Sequence, residues 1–180
     1  AMQMFSTCIE SKDPKVCSES GDKLVAAVSK APDHPSADAA LHNGALAYEN
    51  AQRNKTAMEL YGRIVEEYPE SRWVDKCQFK QAYSANAFFE YEQALNSYKI
   101  LADQKRFDDS DYRNDAIMNT ALILTNVQDY EKAIPYWKKY SQKAEDPEMA
   151  IEASFNMADM HFRSKNWGKA VAAYQKFIKQ

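Results

Sequence analysis

Glycine is scarce in this sequence. Only Gly21, Gly44, Gly62 and Gly168 occur in 180 residues, scattered, so neither common kind of phosphate-cradling loop can be built and a nucleotide site of those kinds is excluded. Cysteine is nearly as rare: Cys8, Cys17 and Cys77 form no Cys-x-x-Cys pair. His34, His42 and His161 are too far apart for the i, i+4 metal pair of a helix, and no metal or cofactor is expected. Long apolar runs are missing too, and no charged-then-apolar leader is seen. The segment is expected to be soluble and not to insert directly into a membrane, any leader lying outside it. Nor does one sign of charge prevail: 23 Lys and Arg are interspersed with 26 Asp and Glu for a net charge of -3. Nothing attracts phosphate over the whole surface, and nucleic acid is not an expected partner.

What the sequence does have is an abundance of Ala, Glu, Lys, Gln, Leu and Met, good helix formers, with no sustained alternation of apolar and polar residues. The fold class expected is all-α. Within it one phrase recurs. "AQRNKTAMELYGRI", "FFEYEQALNSYKIL", "NVQDYEKAIPYWKKY" and "SKNWGKAVAAYQKF" superimpose so that Ala57, Ala94, Ala133 and Ala170 align, each followed four residues later by Tyr61, Tyr98, Trp137 or Tyr174. Twelve residues upstream of each of those alanines stand Ala45, Ala82, Ala121 and Ala158. Small residues recur where two helices approach closely and bulky ones fill the space between them, so each unit reads as a helical hairpin.

These residues resemble the tetratricopeptide repeat family, whose unit has a bulky residue at position 4, small at 8, aromatic at 11, Ala at 20, aromatic at 24 and Pro at 32. The first full unit meets it best, with Leu41, Ala45, Tyr48, Ala57, Tyr61, Ile64 and Pro69. Later units depart from it: Gln78 and Ser154 stand at position 4, Ala85 at 11, and Arg106 and Glu145 replace the proline. The resemblance covers residues 36–180 and implies four hairpins, at about 36–70, 71–108, 109–145 and 146–180, the last truncated, behind an incomplete or degenerate hairpin at 1–35. It also implies a right-handed superhelix of stacked antiparallel hairpins whose concave face is lined by the first helix of each unit. The aligned alanines are 37, 39 and 37 residues apart, against about 34 in the family. The surplus predicts first helices one turn longer than usual, starting at Ser71, at Ser110 or Asp111, and at Asp146-Pro147.

Asp13-Pro14 repeats the start at Asp146-Pro147 and predicts a helix over Pro14–Lys30, preceded by a shorter one over residues 2–12. An antiparallel hairpin there would bring Cys8 and Cys17 within disulfide reach, leaving Cys77 free; two unrelated buried thiols are the alternative. A disulfide would imply an oxidising compartment. Near the other end Phe177 and Ile178 are left unshielded, which suggests a piece of a longer protein.

No catalytic set can be assembled. Asp159 and His161, two apart on a helix, point to different faces, and the chain is read as non-enzymatic. What the family resemblance implies instead is a scaffold that binds a protein or extended peptide on its concave face. Position 6 carries Asn43, Lys80, Asn119 and Asn156, similar to the asparagine ladder of some superhelical members, in which amides pair with a peptide backbone. His42, Phe79, Tyr83, Met118, Leu122, Phe155 and Phe162 would line the same face, with Asn86, Asn126 and Asp159 nearby. Solvated or capping asparagines are the plainer reading. The family's carboxylate clamp is not reproduced, since Lys76 and Lys80 in one unit do not make it. The turn "YPES" at Tyr68 to Ser71 resembles the long-hairpin members of the bacterial envelope, of the outer-membrane assembly lipoprotein and Tol-Pal partner type, and scaffolds of gliding machinery. Periplasm or cell envelope is the expected location, with cytoplasm open. The other function class in play is a regulatory or targeting module of a larger enzyme or of a motility or secretion machine.

Overall fold

The structure, a computed structural model, describes residues 2–179. The chain is all-α: among the described residues are ten α-helices, one 3₁₀ turn and no strand. The helices are α1 (Met2–Ser11), α2 (Pro14–Lys30), α3 (Ala37–Asn50), α4 (Asn54–Glu67), α5 (Val74–Ala87), α6 (Tyr91–Asp103), α7 (Arg113–Asn126), α8 (Tyr130–Lys143), α9 (Pro147–Arg163) and α10 (Trp167–Phe177), with the 3₁₀ turn at Lys105–Phe107. By internal packing the chain divides into Ala1–Ser97 and Tyr98–Gln180, the boundary falling inside α6.

In the first unit α1 packs on α2, α2 on α3, α3 on α4 and α4 on α5. Its core joins Val28, Leu41, Ala45, Tyr48, Ala57, Leu60, Tyr61, Ile64 and Cys77, all buried. The repeated alanines are what let these helices close up: Ala45, Ala57, Ala82 and Ala94 are each 0 % exposed, and so is the Tyr61 ring beside them. Gly21 serves the same end. A Cβ there would lie 2.8 Å from the Tyr48 ring, whose hydroxyl donates to Asp22 at 2.7 Å while Arg53 covers its face. Burial of the Cys77 thiol pushes its pKa up to about 12.

Asp13 starts α2 by accepting from the Lys15 amide at 2.8 Å, with Pro14 in the first turn. Cys8 and Cys17 are joined by a disulfide, with Cα atoms 4.7 Å apart. Cys8 is the one buried residue of the ten in α1, so this helix holds to the unit through the bond and the small cluster of Cys8, Cys17 and Ala47.

In the second unit α7 packs on α8, α8 on α9 and α9 on α10. Ala121, Ala133 and Ala158 are 0 % exposed, and Trp137, 4 % exposed, donates its indole N–H to the Thr125 hydroxyl at 3.1 Å. Tyr136 donates to Asp103 at 2.6 Å.

The surplus residues of the repeat do not lengthen the first helices as the spacing suggests. α5 and α7 have 14 residues each, the same as α3, and only α9 reaches 17. The extra residues go into the connections instead. In the first, Ser71 caps no helix; its hydroxyl accepts from the Trp73 amide at 3.2 Å and donates to Asp38 of α3 at 2.6 Å, which orders the turn. In the second, the connection is held by Arg113, a 7 % exposed residue whose guanidinium donates to the Gln104 carbonyl at 3.1 Å and pairs with Asp108. Through these two contacts the buried cation ties the loop it faces to the start of α7, and its remaining Nε–H finds no partner among the described residues. Asp146-Pro147 does start α9, Asp146 accepting from the Glu148 amide at 2.9 Å.

Four helix ends share a further device. α3, α5, α7 and α9 end with one residue in the left-handed region, Gln52 (φ 59), Phe89 (φ 62), Gln128 (φ 63) and Lys165 (φ 61). The amide of the residue after each bonds back to the helix: Arg53 to Tyr48, Glu90 to Ala85, Asp129 to Leu124 and Asn166 to His161, at 2.8 to 2.9 Å. This closure usually places glycine at the left-handed position, but none of the four is glycine.

Candidate partner-binding site

The residues expected to line the inner helices divide between the two units. In Ala1–Ser97, Asn43 is half-buried on α3 with its amide 3.8 Å from the Met2 sulfur. It stands at the rim of a groove of about 500 Å³ between α2 and α3, floored by Leu24, Ala27, Val28, Ala31 and Ala40. Lys80 of α5 pairs with Glu49 of α3 at 3.2 Å, so its charge is already met within the unit. Lys76 lies 5.7 Å from the centre of the Trp73 ring. Phe79 and Asn86 are half-buried and Tyr83 is 58 % exposed.

His42 is the clear correction. It is 3 % exposed and stacks flat on Trp73, ring centres 4.2 Å apart, which leaves it no face for a partner. Burial first, then the nearby Lys76, brings its pKa down to about 4, so the imidazole is neutral. Position 5 of the unit belongs here to the core, because the indole supplied by the next connection covers it.

In Tyr98–Gln180, Leu122 is 39 % exposed, Asn126 is exposed, and Met118 and Asn156 are half-buried. Asn119 turns its amide back to the Asp115 carbonyl at 2.8 Å, an i to i-4 bond that a peptide backbone would have to displace. Asp159 is held by Arg163 at 2.6 Å on its own helix. Phe155 packs on Tyr174 and Phe177 of α10, with centroids 5.8 and 5.4 Å away, yet stays 43 % exposed. Phe162 is 51 % exposed and meets Trp167 edge-on at 5.2 Å. His161 is half-buried, its pKa lowered by burial and by Lys169.

The structure thus brings large apolar side chains to the open faces of α5, α7 and α9, while Asn43 and Asn119 are already engaged with neighbours of their own. Two features escaped the sequence reading. The groove beside Asn43 depends on two alanine-rich helices meeting, which no local spacing reveals. Phe89 was legible: five residues before each aligned alanine stand Gln52, Phe89, Gln128 and Lys165, one aromatic among polar side chains. Among the described residues no group of three or more His, Cys, Asp or Glu is placed to hold a metal ion, and no helix is long and apolar enough to cross a membrane.

The sequence model of the tetratricopeptide repeat family matches residues 39–71 and 152–180. No curated protein matches the sequence. Among solved structures, MamA superimposes with a TM-score of 0.69 at 13 % identity, over 99 % of this chain and 88 % of that one. A Podosopora anserina protein described as a kinesin light chain with nearly identical TPR-like repeats gives a TM-score of 0.62 at 14 % identity, over 99 % and 92 %. A tetratricopeptide repeat protein of Parabacteroides merdae gives 0.62 at 19 %, over 98 % and 66 %. At these identities the likeness is one of fold, and it is generic as to biology. Residues 39–71 and 152–180 thus match the tetratricopeptide repeat, and the chain has a fold like that of the tetratricopeptide-like solenoids.

Proposed function

We propose that this chain is a non-enzymatic scaffold that takes an extended peptide, or an extended segment of a partner protein, on the open faces of its first helices, within a cell-envelope assembly. Tetratricopeptide repeats are protein-binding modules, and no catalytic family is indicated. The observation that carries the finer reading is an inversion of size. Neighbouring positions of α5 hold Ala82, 0 % exposed, and Tyr83, 58 % exposed; those of α7 hold Ala121, 0 %, and Leu122, 39 %. Close helix packing explains the buried alanines but does not by itself call for a large apolar side chain on the open face beside each. Partner segments covering Tyr83 in the one unit and Leu122 in the other account for their place.

Peptides selected from a displayed library against the whole chain test this. Tyr83→Ser with Leu122→Ser should weaken the selected peptides about tenfold or more with little change in melting temperature, as exposed positions do. Undiminished binding would remove these helices from the site. Asn119→Ala with Asn156→Ala probes the polar half, with about 1 kcal/mol expected per lost bond pair. The envelope location rests on the Cys8–Cys17 disulfide, since such bonds persist in oxidising compartments, and on the resemblance of the Tyr68 to Ser71 turn to the envelope members.

A further inference from the structure

We propose that the turn between α5 and α6 is a second docking surface, an aromatic and acidic tip that takes a basic segment of another protein. The starting point is the four helix ends closed by a left-handed residue. At that backbone conformation a side chain crowds the following carbonyl, and a bulky ring is among the least tolerated. The chain itself shows the ordinary solution three times, with Gln52, Gln128 and Lys165, and departs from it once, with Phe89. That ring gains little in packing to offset its position. Phe89 is 75 % exposed, the preceding Phe88 is 41 % exposed, and Phe89 meets the Tyr91 ring edge-on at 6.1 Å. A costly residue left in water at a geometry that recurs at four helix ends points to a role outside the fold.

Charge says what the role is. From Gln81 to Tyr98 there is no Lys or Arg, whereas Glu90 and Glu92 both lie in the turn and the first turn of α6. Among the described residues neither carboxylate has an ion-pair partner. An open hollow of about 690 Å³ runs from the Phe89 ring along α6, lined by Glu90, Tyr91, Glu92, Gln93 and Asn96. Two aromatic rings with negative faces and two unpaired carboxylates around one hollow suit a guanidinium or ammonium group, which lies on a ring and is neutralised beside it. The same carboxylates oppose an anionic membrane surface, which would otherwise suit exposed phenylalanines.

The test uses the whole chain and three probes: a fluorescein-labelled arginine–leucine peptide, its glutamate–leucine counterpart, and phosphatidylserine vesicles. The key variant is Phe89→Gln, which installs the residue found at two of the sibling turns and leaves net charge unchanged. It should weaken the arginine–leucine peptide about tenfold while raising the melting temperature by about 2–4 °C. Phe89→Tyr should retain binding, and Glu90→Gln with Glu92→Gln should weaken it most at low salt. Equal binding by wild type and Phe89→Gln would reduce the effect to bulk attraction and overturn the proposal. Phe89-dependent binding to the acidic peptide or to vesicles would overturn it as well, as would a variant that loses binding together with thermal stability.

Discussion

The hairpin α3–α4 and the hairpin α9–α10 carry the same signature, an alanine and then an aromatic four residues on, and differ sharply in what they bury. In α3–α4 both helices are half core: Leu41, His42, Ala45, Ala47 and Tyr48 on one, Ala57, Met58, Leu60, Tyr61 and Ile64 on the other. In α9–α10 only Ala153, Ala158, Met160 and Ala170 are buried, while Trp167 and Val171 of α10 stay 55 and 56 % exposed. The signature residues close each hairpin on itself. Burial of everything else comes from neighbours: α3–α4 lies between α2 and α5, whereas α10 packs on α9. In such arrays stability is a sum of repeat and interface terms, so the two hairpins should respond very differently to the same change.

The largest effect should come from truncating the aligned aromatics. Tyr61, 0 % exposed, changed to Ala should cost about 3–5 kcal/mol. The half-buried Tyr174 changed to Ala should cost about 1 kcal/mol or less. Urea denaturation followed by far-ultraviolet circular dichroism measures both, and equal costs would break the comparison.

Opening the Cys8–Cys17 bond comes next. Cys8→Ser should cost about 2–3 kcal/mol on the chain-entropy account and, because α1 buries little besides Cys8, should speed amide exchange across α1 while leaving α9 and α10 unchanged. Alkylation with and without reductant checks the bond itself: Cys77 alone should be modified after unfolding without reductant.

Acid should act on the first unit before the second. The unfolded chain protonates His42 near 6.5, while the folded chain holds it neutral down to about 4. Stability from this residue is therefore intact above pH 6.5 and is lost as pH falls toward 4, by about 3 kcal/mol in all. His42→Phe should flatten that window. His161, lowered in the same direction but only half-buried, should leave a shallower slope in the second unit.

The smallest pair has opposite signs. Gly21→Ala drives a Cβ into the Tyr48 ring at 2.8 Å and should cost about 1 kcal/mol. Gly168→Ala meets nothing within 4 Å inside a helix and should stabilise by about 0.5–1 kcal/mol. Thermal melts of the two variants sharpen the contrast between a closed and an open hairpin at the level of one methyl group.

Much of this was legible from particular residues. Ala57, Ala94, Ala133 and Ala170 mark close helix approaches wherever they stand, and Asp13-Pro14 and Asp146-Pro147 start helices because a carboxylate and a proline suit the first turn in any context. The spacing of the repeats misled at α5 and α7, because a count of residues does not say whether the surplus is helix or loop. Arg113, buried against the Gln104 carbonyl, and Ser71, bonded to Asp38, decided for loop. For Asn119 the sequence left a peptide-binding amide and a solvated or capping one both open, and nothing in it says that the side chain will bond to the Asp115 carbonyl.

By itself the sequence determined the helices, their pairing into hairpins and the small residues at their crossings, because these depend on contacts between positions a few residues apart and on a period that repeats them. Tertiary structure alone decided that His42, expected on the same face as Tyr83 and Leu122, is core and stacked on Trp73 while those two stay exposed. Those outcomes depend on which side chain arrives from the next element. A polar ring covered by an indole loses its water, and an apolar ring with no neighbour keeps it, whatever the local pattern says.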